Sequence, residues 1–213
     1  MPSLPSLKCS GCGACGQICP KSAISMTPND EGFLYPEVDS SLCVECRLCE
    51  KTCPVLNVRS STDFSERKAY AAICSDEKIR LESSSGGMFT VLAEKVIAEG
   101  DVVFGAEFDG DFSVRHGWTD SVCGLERFRG SKYLQSRTES SFLECRKFLD
   151  DGRKVLYTGT PCQIAGLKAF LKKDYENLFT VDVICHGVPS PALWQKYIKF
   201  RFADCENSFQ AEE

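Results

Sequence analysis

Two runs of cysteine constrain this chain more than any other feature. Cys9, Cys12, Cys15 and Cys19 are separated by two, two and three residues and are followed by Pro20. Cys43, Cys46, Cys49 and Cys53 repeat that spacing and are followed by Pro54. The spacing is that of bacterial-type [4Fe–4S] ligation, in which the fourth cysteine of each run reaches across to the other cluster. The expected ligand sets are therefore Cys9, Cys12, Cys15 and Cys53 for one cluster, and Cys43, Cys46, Cys49 and Cys19 for the other.

The intervening residues suit this reading. Ser10, Gly11, Gly13, Ala14 and Gly16 are small, as backbone close to inorganic sulfide requires. Between the runs, Ala23–Met26 and Phe33–Pro36 flank the turn-forming stretch Pro28–Gly32, which predicts a strand, a turn and a strand. Zinc sites place two cysteine pairs on either side of a spacer, and a triple followed by Cys-Pro does not match them. Disulfides belong to secreted chains, and Met1 to Leu7 has no apolar leader. Eight of the 14 cysteines fall before residue 54, in a segment too small for an ordinary core, so bound clusters would have to staple it. Net charge is −5, which argues against nucleic acid as the main partner. No apolar stretch approaches the ~20 residues of a membrane helix. Cysteine usage fits a reducing cytoplasm.

A polar linker over Asn57–Lys68 separates residues 1–57 from a second domain at 69–213. There the chain alternates between strand-like and helix-like segments. Strands are expected at Ala69–Cys74, Val102–Phe108, Val114–Trp118, Lys154–Thr158 and Leu178–Cys185, the last apolar enough to be covered on both faces. Helices are expected from Gly87 to Gly100, with Phe89, Leu92, Ala93, Val96 and Ile97 on one face, and over Glu139–Asp150, Gln163–Leu171 and Pro189–Phe202. The fold class is α+β: a small two-cluster ferredoxin-like domain followed by an α/β domain.

Four loops are expected at strand-to-helix junctions, where α/β sheets bind ligands. They are Ser83–Gly87, Gly130–Tyr133, Gly159–Gln163 and Cys185–Ser190. The first suits a pyrophosphate at a helix start, or is a plain helix cap. Lys132 and His186, each taken alone, read as a surface lysine and a structural histidine. Cys162 reads as an activated thiol, a packed thiol or a metal ligand.

Taken in order, Ser84-Ser85-Gly86-Gly87-Met88-Phe89, Gly130-Ser131-Lys132-Tyr133-Leu134-Gln135-Ser136, Gly159-Thr160-Pro161-Cys162-Gln163 and Cys185-His186-Gly187-Val188-Pro189-Ser190 resemble the family of coenzyme F420 hydrogenase/dehydrogenase beta subunits. The resemblance implies FAD in the α/β domain, so that domain would be flavin-binding. Ser84, Ser85, Gly86 and Gly87 would lie along the phosphates or ribityl chain. Gly130, Ser131, Lys132 and Tyr133 would border the ring, and Gly159, Thr160, Pro161, Gln163 and His186 would shape the pocket. Cys162 and Cys185 follow apolar strands, in loops expected to meet at one edge of the sheet; they are either buried thiols or two ligands of a further metal site that a later Cys-x2-Cys of longer relatives would complete, so this chain by itself is expected to hold no third cluster. Family members run well beyond Glu213, so the α/β domain is expected to be incomplete at its C-terminus.

The reading that follows is an FAD- and iron–sulfur-dependent oxidoreductase passing electrons between two [4Fe–4S] clusters and an unidentified substrate, with coenzyme F420 as one candidate. The alternative is a ferredoxin-like electron-transfer protein with no catalytic site of its own. Its partners are a redox protein or a small molecule, and an oligomer is compatible with either.

Overall fold

The structure is a computed structural model and describes residues 1–5, 8–58 and 67–202. Most of the expected linker over Asn57–Lys68, and the end of the chain after 202, lie outside the described residues.

The front segment is built from two near-copies of one turn. Helix α1 (Ala14–Ile18) follows Cys9 and Cys12 and carries Cys15, and helix α2 (Leu48–Thr52) follows Cys43 and Cys46 and carries Cys49. Each helix is entered through a left-handed residue, Gly13 at φ 76° and Arg47 at φ 57°. Each ends at the fourth cysteine of its run, Cys19 or Cys53, in extended conformation. Left-handed backbone costs glycine little, so Gly11 and Gly13 suit the first run; the second places Glu45 and Arg47 there at a steric cost. Five-residue helices do not stand alone in water, so packing and ligation must hold them. Between them lies the expected hairpin, β1 (Ile24–Pro28) antiparallel to β2 (Leu34–Val38). Asn29 closes its turn by accepting from the Glu31 and Phe33 backbone N–H groups.

After helix α3 (Glu77–Leu81), the second unit is a five-stranded mixed sheet in the order β5-β4-β3-β6-β7. Its strands are β3 (Val102–Phe108), β4 (Val114–Thr119), β5 (Ser136–Arg137), β6 (Val155–Gly159) and β7 (Leu178–Asp182). Strand β3 pairs antiparallel with β4 and parallel with β6, and β6 pairs parallel with β7. Alternation along the central strands sorts the core into two layers. Val102, Phe104, Val155 and Tyr157 face helices α5 (Ser141–Asp150) and α6 (Pro161–Leu171), meeting Phe142, Leu149, Leu167 and Phe170. Val103 and Leu156 face the other way, onto Ala93 and Ile97 of α4 (Met88–Ala98) and onto Leu125 and Phe128 of a 3₁₀ turn (Cys123–Phe128). Helix α7 (Pro191–Phe202) closes the described chain and buries none of its residues.

Three expectations are corrected. Ala69–Cys74 is not a buried strand: it has no ladder partner, and Tyr70 and Ile73 are 83% and 69% exposed. Its apolar run is held at one end, where the Cys74 N–H donates to Gly86. The strand expected over Leu178–Cys185 stops at Asp182, because its partner β6 ends at the facing Gly159; Ile184, beyond it, is 87% exposed. Of the four loops, Ser83–Gly87 joins two helices and Gly130–Tyr133 leads from the 3₁₀ turn into β5, so neither is a strand-to-helix junction.

The front segment is fastened onto the second unit. Cys12 and Ala14 belong to the same apolar cluster as Phe142 and Leu167. Thr138 Oγ1 donates to the Cys12 carbonyl at 3.0 Å, and Gln17 Oε1 accepts from the Phe142 N–H at 2.9 Å. The Leu34 N–H donates to Gln135 Oε1 at 2.9 Å. At the hairpin tip, the Glu31 carbonyl accepts from Ser190 Oγ and from the Ala192 N–H.

Candidate metal centres and cofactor loops

The fold brings the eight run cysteines together in two groups of four. Cys9, Cys12, Cys15 and Cys53 line one hollow. Cys19, Cys43, Cys46 and Cys49 line another. Each hollow thus takes three cysteines from one run and the last from the other, the exchange that the twin turns impose. The residues fit thiolate ligation to a cluster. Backbone N–H groups already point at sulfur, from Gly11 to Cys9 Sγ at 3.4 Å and from Ala23 to Cys19 Sγ at 3.3 Å. Such donors stabilise negative charge on the thiolate. No three His, Cys, Asp or Glu side chains converge tightly enough for a single metal ion among the described residues. A cubane spreads its four thiolates over four irons, so its ligand set is wider than that of a single ion.

The two hollows differ in surroundings. Apart from its cysteines, the first is lined by Leu4, Pro5, Met26, Pro36, Val55 and other uncharged residues. Burial pushes the Cys12 thiol up to about 11 and the Cys15 thiol up to about 12. The second hollow is lined by Lys21 and Arg47, and its Cys46 is exposed. The first is therefore the inner centre and the second the outer.

Helix α6 meets the inner centre with its first two turns. An added Cβ on Gly166 would lie 3.0 Å from Cys12 Sγ. Cys162, at the start of α6, raises the pKa of Cys9 and Cys12, though less than burial does. Its own Sγ lies 3.1 Å from Thr160 Oγ1. Cys185 is exposed, and its sulfur accepts from the Gly187 N–H. The interactions of Cys162 thus lead to the inner centre, whereas this bond of Cys185 stays within its own loop.

Two of the four loops meet each other. The Ser131 N–H donates to Ser84 Oγ at 2.5 Å, which ties Ser83–Gly87 to Gly130–Tyr133. Gly87 starts α4 with φ 76°, and a side chain on Gly86 would strike the Ala72 carbonyl. Lys132 turns its ammonium onto the Arg127, Arg129 and Gly130 carbonyls, at 2.8, 2.7 and 3.3 Å. Burial lowers its pKa to about 8, against a smaller opposing pull from Glu107. Tyr133 is exposed. At the β6–α6 junction, Gln163 Oε1 accepts from the Thr160 N–H and Gln163 Nε2 donates to the Ser136 carbonyl, with Pro161 in the first helical position. The Val183 N–H, two residues before the fourth loop, donates to the Gly159 carbonyl of the third, and in the fourth loop His186 is exposed. None of these loop residues lines either cysteine hollow.

One residue escaped the sequence reading. His116 on β4 is buried between Ser136 and Thr158 and stacks on Tyr157 at 5.4 Å between ring centres. The Thr158 carbonyl can only accept, so Nε2 carries the proton and Nδ1 accepts from Ser136 Oγ. His116 therefore ties β4 to β5 and to the end of β6 through neutral imidazole. A lone His on an alternating strand carries no signal of that role.

The chain is an α+β protein with an N-terminal ferredoxin-like unit, and residues 8–57 match the 4Fe-4S dicluster domain. Over residues 152–208 the chain matches the C-terminal part of the coenzyme F420 hydrogenase/dehydrogenase beta subunit. It is 24% identical over 188 residues to a subunit of the F420H2 dehydrogenase of Methanosarcina mazei, an alignment covering 83% of this chain and 53% of that one. The chain thus spans about half the length of that relative. An uncharacterized ferredoxin of Methanocaldococcus jannaschii is 38% identical over 47 residues, covering 22% of this chain and 60% of the ferredoxin. A chain of the F420-reducing [NiFe] hydrogenase complex from Methanosarcina barkeri superposes with a TM-score of 0.49 at 24% identity, covering 60% of this chain and 47% of that one. No helix among the described residues is long and apolar enough to cross a membrane.

Proposed function

We propose that the chain is the electron-transferring part of a flavin-dependent oxidoreductase, holding two [4Fe–4S] clusters and FAD. The observation that carries this reading is the gathering of eight cysteines into two exchanged fours, the inner one pressed against α6. When bound, the clusters supply one-electron transfer and the flavin exchanges one electron or two, which links single electrons to hydride chemistry. Cys9, Cys12, Cys15 and Cys53 hold the inner cluster, and Cys43, Cys46, Cys49 and Cys19 the outer. Apolar Leu4, Met26 and Val55 keep water from the inner set. Gly11 and Ala23 steady their cysteines through N–H···S bonds.

Ser84–Gly87 and Gly130–Tyr133 form one side of the flavin site, a reading supported by their direct hydrogen bond. Lys132 orders the ring-side loop through its carbonyl contacts, with its ammonium directed inward. The Methanosarcina mazei relative's name makes reduced coenzyme F420 the first substrate to try, at the flavin face. The free thiols fit a reducing compartment, the cytoplasm.

A ferredoxin-like carrier without its own catalytic site is the second reading. It is favoured by Lys132, whose charge is taken up by carbonyls within its own loop. Denaturing anaerobically purified chain separates the two. FAD released at about one per chain supports the flavoprotein. Cluster absorbance with no flavin, in this chain and in a version extended to the length of its relatives, supports the carrier.

A further inference from the structure

We propose that the rim of the outer hollow, formed by Lys21, Val44, Cys46 and Arg47, is the docking face for an acidic one-electron carrier protein. The proposal rests on the cluster reading above and names the partner of that site. The two hollows differ in a way that no ligand role requires. The inner one is lined by uncharged residues and is covered by α6 on the side of Cys12. At the outer one, Cys46 and Val44 are exposed, and the cationic side chains Lys21 and Arg47 stand in the lining itself. Electron transfer between proteins needs close approach, and the outer set, with Cys46 exposed, offers more of it than the inner set, where Cys12, Cys15 and Cys53 are buried and Cys9 half-buried.

The charge pattern selects the partner. The chain as a whole is acidic, at −5. Around the outer hollow, however, the acids are already engaged within the chain. Glu45 takes the Met1 ammonium at 2.6 Å, and Glu50 accepts from the Ser3 N–H at 2.6 Å. Asp39 accepts from Ser41 through both N–H and Oγ. Lys21 and Arg47 are exposed, and neither reaches an acid within ion-pair distance among the described residues, although Arg47 lies in the field of Glu45. Their charge is therefore left facing outward, beside the apolar surface of Leu42 and Val44, which are 50% and 57% exposed. A cationic rim around an apolar spot complements the acidic surface of a small redox protein, and such rims act mainly on the association rate and its salt dependence.

The test uses the full chain loaded anaerobically with iron and sulfide, and an acidic [2Fe–2S] ferredoxin as the probe. Binding and association rate are read over a range of ionic strength. The tested variant is Lys21→Gln/Arg47→Asn; asparagine tolerates the left-handed backbone at that position. The expected result is a loss of affinity of about three- to tenfold at low salt, a flatter salt dependence, and a lowered midpoint potential for one of the two clusters only. Lys95→Gln on α4, which removes one exposed charge from the other unit, should leave binding unchanged. Binding of the double variant equal to wild type overturns the docking face, as does a Lys95→Gln loss of the same size or tighter binding of a cationic c-type cytochrome. If the double variant loses iron, Lys21→Gln alone carries the test, since Lys21 lies outside the ligand loop. A wild-type chain that never holds two clusters overturns the underlying reading; a fully loaded chain with unchanged binding overturns the docking face alone.

Discussion

Protonating His116 buries a charge and ends the acceptor role of Nδ1 toward Ser136 Oγ, while the Nε2–H bond to the Thr158 carbonyl is kept. Burial lowers its pKa from 6.5 to about 4, with the Thr158 carbonyl opposing the shift. Between those values the unfolded chain binds the proton and the folded chain does not. The resulting stability is full above pH 6.5 and is lost as pH falls towards 4. Between pH 7.5 and pH 5 the loss should reach about 2 kcal/mol. His116→Asn removes it, so the stability gap between wild type and variant should narrow by that amount in denaturant titrations; a constant gap would remove His116 from the account. Cys12 carries the opposite lesson, because its spacing made it legible. Cys12→Ala should leave about half the iron of wild type and loosen the front segment, which is too small to hold together without its ligands. Iron analysis beside a melting curve checks both. Glu107 was silent in sequence: its carboxylate is buried on β3 with Arg115 at 3.1 Å and Arg127 at 2.8 Å. The partners come from β4 and from the 3₁₀ turn, and no local pattern announces them.

At the scale of elements, α6 is the contact between the two units, and a glycine sets how close it comes. Gly166→Ala should by helix propensity stabilise α6 by about 1 kcal/mol. The added Cβ would sit 3.0 Å from Cys12 Sγ and 3.1 Å from Cys12 Cβ, however. A cysteine fixed on iron cannot move aside. Gly166→Ala is therefore expected to destabilise the loaded protein and to broaden the reduced-state EPR signal of one cluster. A gain in melting temperature with unchanged spectra would refute the close approach. The longer helices α4 to α7 and the central strands β3 and β6 were legible from their apolar periods and the Gly, Pro or Thr near their ends, whereas the five-residue helices α1, α2 and α3 are too short to show a period. The errors fell at the margins. Ala69–Cys74 and Val183–Cys185 are apolar enough for strands, but composition does not reveal whether a neighbouring strand exists to pair with. Likewise, Ser83–Gly87 has the residues of a strand-to-helix loop, yet it follows α3, a single short turn begun by the Asp76 cap.

At the scale of the molecule, the proposed function would have electrons enter on the exposed Cys46 side and pass through the inner four cysteines, which lie against α6. The spacing led to the expectation of an exchanged fourth cysteine, and Cys53 and Cys19 do line the hollows of the opposite runs. The seating of the inner set on α6 was not legible, because it depends on Gln17, Thr138 and Gly166, which are far apart in sequence. The account stands on the presence of two clusters. Anaerobic iron and acid-labile sulfide analysis of the purified chain measures that directly, and it should return about eight of each per chain, with EPR of the reduced protein displaying two coupled spins. A value near four irons, or zinc in their place, would contradict it.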